Sequence, residues 1–194
     1  MLRLGAYPRG METYEAIMTR RSGGKTTERR PDRSTIERLL DAAVAAPNHH
    51  LTEPWRFVVL SGDALKELGD AWATGEERLG RDPEKVRDKP LRAPVIITIL
   101  ERPKAHLPKV VEIEEHHAVG AAMQNMLLAA HDAGLAAMLR TGEAAHIPEV
   151  RAYLGLAEGD FVAGFIYVGY PPEDYERKPP RKTSAAELTE WRGW

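Results

Sequence analysis

The stretch Ala118-Val-Gly-Ala-Ala-Met-Gln-Asn-Met-Leu-Leu-Ala-Ala130 constrains the fold more than any other part of the chain. It lies inside the longest helical segment, Glu114 to Ala133, and small or apolar residues occupy nearly every side of it. A helix of that kind is buried on most faces, so other elements must pack around it. A chain of 194 residues supplies one domain with a sizeable core and falls short of two ordinary ones. Burial this complete in a chain of that length points to a partner subunit covering one side.

Around this helix, hydrophobic periodicity sets out the remaining elements. Met11 to Arg20 reads as a short amphipathic helix. Ser34-Thr-Ile-Glu37 has the form of a capping box, with Ser34 at the N-cap of a helix that Pro47 stops. Trp55 to Leu60 reads as a strand, and Asp63 to about Leu79 as a helix with Leu65, Leu68 and Trp72 inward. Val95-Ile-Ile-Thr-Ile-Leu100 is β-branched and nearly all apolar, which predicts a central buried strand. Ala136 to Leu139 and Phe161 to Tyr167 read as strands, with a short helix at Pro148 to Leu154. Helices and strands interleave without a strict βαβ rhythm, which favours a mixed sheet surrounded by helices. Met1 to Gly10 is expected to be a flexible tail, and 11–194 a single domain. The C-terminal segment is rich in Pro and charge, yet it carries Trp191 and Trp194. Two tryptophans are costly to leave in water, so they are expected to dock, either on their own subunit or on a neighbour.

Composition removes several classes of function. The net charge of -2 does not suggest a nucleic-acid binder. With no cysteine, disulfides, thiolate catalysis and cysteine-based metal or iron–sulfur sites are excluded. No apolar run is long enough to span a bilayer, and Met1 to Gly10 lacks the apolar core of a secretory signal. A cytoplasmic protein is the expectation. There is no P-loop, no Gly-x-Gly-x-x-Gly, no His-Glu-x-x-His and no Gly-x-Ser-x-Gly. Any use of NAD(P)H therefore proceeds without a Rossmann unit to hold it.

Arg20-Arg21-Ser22 places two guanidinium forks beside a hydroxyl, a donor cluster suited to a phosphate. Taken alone, it reads more often as a solvated basic helix end. Pro47-Asn48-His49 opens a Pro-bounded loop between a helix and a strand. That loop either anchors a buried Trp55 or presents polar side chains to a ligand. Leu139-Arg140-Thr141-Gly142 is either a turn with an exposed Arg or a strand end facing a cofactor. Pro179-Pro-Arg181-Lys182 is either solvated tail charge or a second phosphate contact. Glu112 and His116 share a helix face, but they lack a third convincing metal ligand and read as a surface cluster.

The order of these segments resembles the flavin-dependent nitroreductase family, in particular its short members, from about Glu12 to the C-terminus. The motifs that carry the likeness are Arg20-Arg21-Ser22, Ala46-Pro47-Asn48-His49, Pro54-Trp55-Arg56-Phe57, the small-residue helix, Leu139-Arg140-Thr141-Gly142 and Gly164 to Pro171. The resemblance implies an α+β fold and an intertwined homodimer with FMN at the subunit interface. It implies that Arg20, Arg21 and Ser22 hold the FMN phosphate and ribityl chain. Pro47, Asn48 and His49 would reach a flavin bound mainly by the other subunit. Leu139, Arg140 and Thr141 would line the ring, and Arg181 or Lys182 would be a further phosphate contact. Many members carry a cation two residues after the Ser; here Gly23-Gly24 intervene and the cation is Lys25, expected at the pyrimidine edge of the ring. Larger members often carry an amide residue before Pro-Trp, where this chain has Leu51 and Glu53.

The implied activity is that of an oxidoreductase. Hydride comes from NAD(P)H, and two electrons pass in ping-pong order to a small acceptor such as a nitroaromatic or a quinone. A second function class also fits the motifs: a non-catalytic dimeric flavin- or nucleotide-binding module of the same fold.

Overall fold

The computed structural model describes residues 10–176 and 183–194. Four strands form one sheet: β1 (Trp55–Ser61), β2 (Val95–Glu101), β3 (Ala136–Arg140) and β4 (Phe161–Gly169). Their spatial order is β1-β2-β4-β3. Every pairing among the described residues is antiparallel, so the mixed sheet expected from the interleaved elements is not found within this chain's own strands. Helices on both faces let an antiparallel sheet alternate with helices in sequence, because each connection runs over a face of the sheet.

The helices are α1 (Thr13–Thr19), α2 (Arg33–Val44), α3 (Asp63–Arg78), α4 (Glu84–Arg87), α5 (Glu112–Asp132) and α6 (Pro148–Tyr153). β2 is buried at every residue. Its alternate side chains feed two cores. Val95, Ile97 and Ile99 pack with Leu39, Val119 and Met126 from α2 and α5. Ile96 and Leu100 pack with Leu65, Leu68 and Val150 from α3 and α6. A strand covered on both faces needs an unbroken apolar run, and that is what its sequence contains.

The start of α2 differs from the capping-box expectation. The N-cap is Asp32, whose carboxylate accepts from Thr35 N at 2.7 Å. Ser34 lies inside the first turn and donates to the same carboxylate, while Glu37 pairs with Arg33 at 2.7 Å. A charged acceptor at the positive end of the helix dipole outcompetes a hydroxyl two residues later.

Helix α5 buries Ala118, Val119, Ala122, Met126 and Ala130 within the chain, but Ile113, His117, Gly120 and Gln124 remain exposed along one side. Trp191 and Trp194 pack edge-to-face at 5.5 Å and are otherwise open, Trp194 being 97% exposed. Docking on their own subunit is therefore not observed. Met11 N donates to Asp132 at 2.6 Å, tying the beginning of the described chain to the end of α5.

Candidate functional site

Helix α1 ends where Arg20 turns extended (φ -55, ψ 133). The chain then runs beside edge strand β3, with Gly23 N donating to Ala137 O at 2.9 Å. The approach is close enough that a Cβ on Gly23 would stand 3.0 Å from that of Ala136, so glycine fits here and a larger residue would push the segment off the strand. This strand-like addition brings Ser22 to the end of β3. Ser22, Leu139, Arg140 and Thr141, all singled out by the sequence, line one cavity of about 500 Å³ on the α3 side of the sheet.

The electrostatics of this corner are unbalanced. The Nε atoms of Arg20, Arg21 and Arg140 are buried and have no hydrogen-bond partner among the described residues. Burial pushes the Arg20 pKa down, and the neighbouring Arg21 charge adds to the shift. Arg21 Nη1 donates to the Met18 and Arg20 carbonyls at 2.9 and 2.5 Å, which fixes its fork without neutralising it. The carboxylate lining the cavity, Glu143, is paired with Arg81 at 3.1 Å. Buried donors that lack acceptors beside uncompensated guanidinium charge are what an anionic phosphate satisfies. One further orphaned guanidinium Nε, that of Arg56, lies elsewhere, where its Nη2 is held by Leu154 O at 2.6 Å.

The Pro47–His49 loop lies at the opposite edge of the sheet, before β1. Asn48 accepts from Glu53 N at 2.9 Å, and His49 Nδ1 sits 2.6 Å from Glu114 Oε2 on α5. His50, Leu51 and Glu53 all adopt positive φ (56°, 53° and 46°), so the loop holds a conformation that side chains resist. Both sets of residues lie toward the same end of the sheet, where β1 begins and β3 finishes. They stand on its two edges, roughly 14 Å apart by three strand spacings. One chain does not bring them together.

Lys25 is exposed and does not line the cavity. Arg181 and Lys182 lie outside the described residues. The lining also includes Trp72 from α3, expected only as an inward core residue, and two cations that sequence reasoning passed over, Lys89 and Arg92, from the turn before β2. The signal for the last two was the pair of cations flanking Pro90-Leu91 just ahead of a buried strand. The Glu112–His116 pair gains a buried partner, with His116 Nδ1 2.5 Å from Glu101 Oε1. No group of three metal-ligating side chains is assembled among the described residues. Among these residues, too, no helix is long and apolar enough to cross a membrane.

Comparison with known proteins gives the family. The model of the nitroreductase family matches residues 17–170, which include every candidate site residue except Arg181 and Lys182. The chain belongs to the nitroreductase family. It is 31% identical to "Putative NAD(P)H nitroreductase YdjA" of Escherichia coli (strain K12), over 83% of this chain and 89% of that protein. The structure of a nitroreductase-like family protein from Bacillus cereus superposes with a TM-score of 0.81 at 27% identity, covering 97% of this chain and 100% of the other. A Desulfovibrio desulfuricans structure described as a "putative nitroreductase in complex with fmn" gives a TM-score of 0.71 at 27% identity, covering 93% and 96%. Membership of this family and the α+β fold are thus established together.

Proposed function

We propose that the protein is an FMN-dependent oxidoreductase that draws hydride from NAD(P)H and delivers two electrons to a small acceptor such as a nitroaromatic or a quinone. The observation that carries this is the buried, unpartnered guanidinium Nε of Arg140 in the cavity that Ser22 also lines, with two more such atoms on Arg20 and Arg21 immediately before Ser22, in a nitroreductase-family chain. The residues fit the group: Arg20 and Arg21 supply forks for a phosphate, Ser22 a hydroxyl for phosphate or ribityl oxygen, and Leu139 to Thr141 a strand end along the ring. Bound FMN supplies the two-electron chemistry, which no side chain of this protein can perform. The protein's part is to bind, to orient and to leave one face open, so that donor and acceptor use that face in turn.

Two copies are needed to complete the site. The Pro47–His49 loop and the β3 corner lie on opposite sheet edges, so a loop that contacts the flavin does so from the partner. The uncovered side of α5 at Gly120 and Gln124 supplies a surface on which a second α5 can pack. Anaerobic titration with NADH and NADPH tests the reading. Purified protein should be yellow, release FMN on denaturation and bleach on addition of the reductant. Yellow protein that neither nucleotide bleaches would instead be a flavin-binding module without turnover.

A further inference from the structure

We propose that Lys89 and Arg92 are the cations that offset the negative charge of the reduced flavin ring, whose pyrimidine edge the family resemblance led us to expect beside Lys25. The inference rests on the FMN reading above and adds to it two residues from a separate element. Both lie in the turn Lys89–Arg92 that leads into β2, and both line the same cavity as Arg140 and Thr141.

Their setting favours a ring over a second phosphate. The cavity walls on this side are aromatic: Trp72, Phe165 and Tyr167. Lys89 Nζ stands 4.6 Å from the centroid of Trp72, and the Arg140 guanidinium 5.3 Å from that of Tyr167. Burial raises the Tyr167 pKa, and the charges of Arg140 and Arg92 oppose that shift, so both cations act on this wall. Among the described residues, none of Lys89, Arg92 and Arg140 forms an ion pair with a carboxylate. Aromatic faces hold a cation in place without cancelling its charge. On the FMN reading, the phosphate is taken by Arg20, Arg21 and Ser22. What remains is positive charge along an aromatic-walled space, and the flavin ring gains negative charge only when it is reduced. Arg92 is exposed, as Lys25 is, so what separates them is the lining, which includes Arg92 and leaves out Lys25.

A phosphate is charged in both oxidation states, whereas the ring is charged in one, so the two roles separate experimentally. Lys89→Met, Arg92→Met and the charge-keeping Arg92→Lys are compared with the unmodified protein. Dissociation constants for oxidised FMN come from fluorescence quenching, and two-electron midpoint potentials from spectroelectrochemistry. The proposal expects oxidised FMN to bind within about threefold in every variant. It expects reduced FMN to be weakened roughly ten- to a hundredfold by Arg92→Met, a fall of ~30–60 mV in midpoint potential. Arg92→Lys should recover most of that fall. Should Lys89→Met not fold because Lys89 covers Trp72, Arg92→Met carries the test alone. Weaker oxidised FMN with an unchanged potential would make these residues phosphate contacts and overturn the proposal. An unchanged potential in Arg92→Met alongside a lowered one in Lys25→Met would return the role to Lys25. If the unmodified protein bound no flavin at all, the proposed function would fall first, and this inference with it.

Discussion

Arg20→Ala should have opposite effects on the protein with and without flavin. In the flavin-free protein the Arg20 guanidinium is partly buried, its Nε has no partner, and Arg21 repels it. Removing such a charge relieves a desolvated, repelled group, so the flavin-free melting temperature should stay level or rise. The backbone is untouched, because Arg20 N still donates to Ala16 O and Arg20 O still accepts from Arg21. Binding should suffer by the worth of a charged hydrogen-bond partner, roughly 1.5–3 kcal/mol. Taking ~2 kcal/mol as the centre, affinity falls about thirtyfold. At an FMN concentration a hundred times the unmodified dissociation constant, ligand stabilisation is about 2.7 kcal/mol, and it drops to about 0.9 kcal/mol in the variant. For a chain of this length those values correspond to melting shifts of roughly 5–11 °C and roughly 2–4 °C. Thermal unfolding with and without FMN measures both quantities. A flavin-free variant that melts several degrees lower, yet keeps the full FMN shift, would show that Arg20 is a structural residue and refute the reasoning.

Three further outcomes are expected. Gly69→Ala should destabilise the fold by about 1–3 kcal/mol, read as a lower urea midpoint, because a Cβ there would lie 2.0 Å from the Arg87 carbonyl oxygen, a backbone atom that cannot rotate away. Burial raises the Glu101 carboxyl pKa above its ordinary 4.5, the His116 partner opposing this in part. The folded state then holds a proton that the unfolded chain releases, so this group's contribution to stability falls as pH rises from about 4.5 through the raised value. Glu101→Gln should flatten that limb of the stability–pH curve, and an unchanged curve would count against the burial argument. The protein should sediment as a homodimer at low micromolar concentration, with an interface above ~2,000 Å²; a folded monomer under those conditions would contradict the two-edge reading of the site.

Much of the chain was legible in advance because its signals are local. The apolar run of β2, the small-residue α5 and the Pro47 stop follow from periodicity and backbone chemistry, and the structure places these elements within a residue or two of their expected limits. The Arg-Arg-Ser cluster was visible as chemistry but ambiguous as function, since a solvated helix end has the same composition. What favours the phosphate reading is burial of donors without acceptors, a property of neighbours distant in sequence. The Asp32 cap was missed because two acceptors within three residues compete, and the choice depends on where the helix begins.

The sequence by itself determined which segments are buried, which turns are sharp and which residue types can meet a phosphate, because hydrophobic spacing and side-chain chemistry are properties of the chain. Only the tertiary structure decided which of those residues share a cavity. Ser22 meets Arg140 across more than a hundred residues because Gly23 lets the chain lie against β3. Lys89 and Arg92 join them because the turn into β2 opens on the same side of the sheet, while Lys25, closer in sequence to the Arg-Arg-Ser cluster, does not line the cavity. The strand order β1-β2-β4-β3 sends the His49 loop to the far edge. Sequence proximity does not encode that separation, because the pairing of strands sets it.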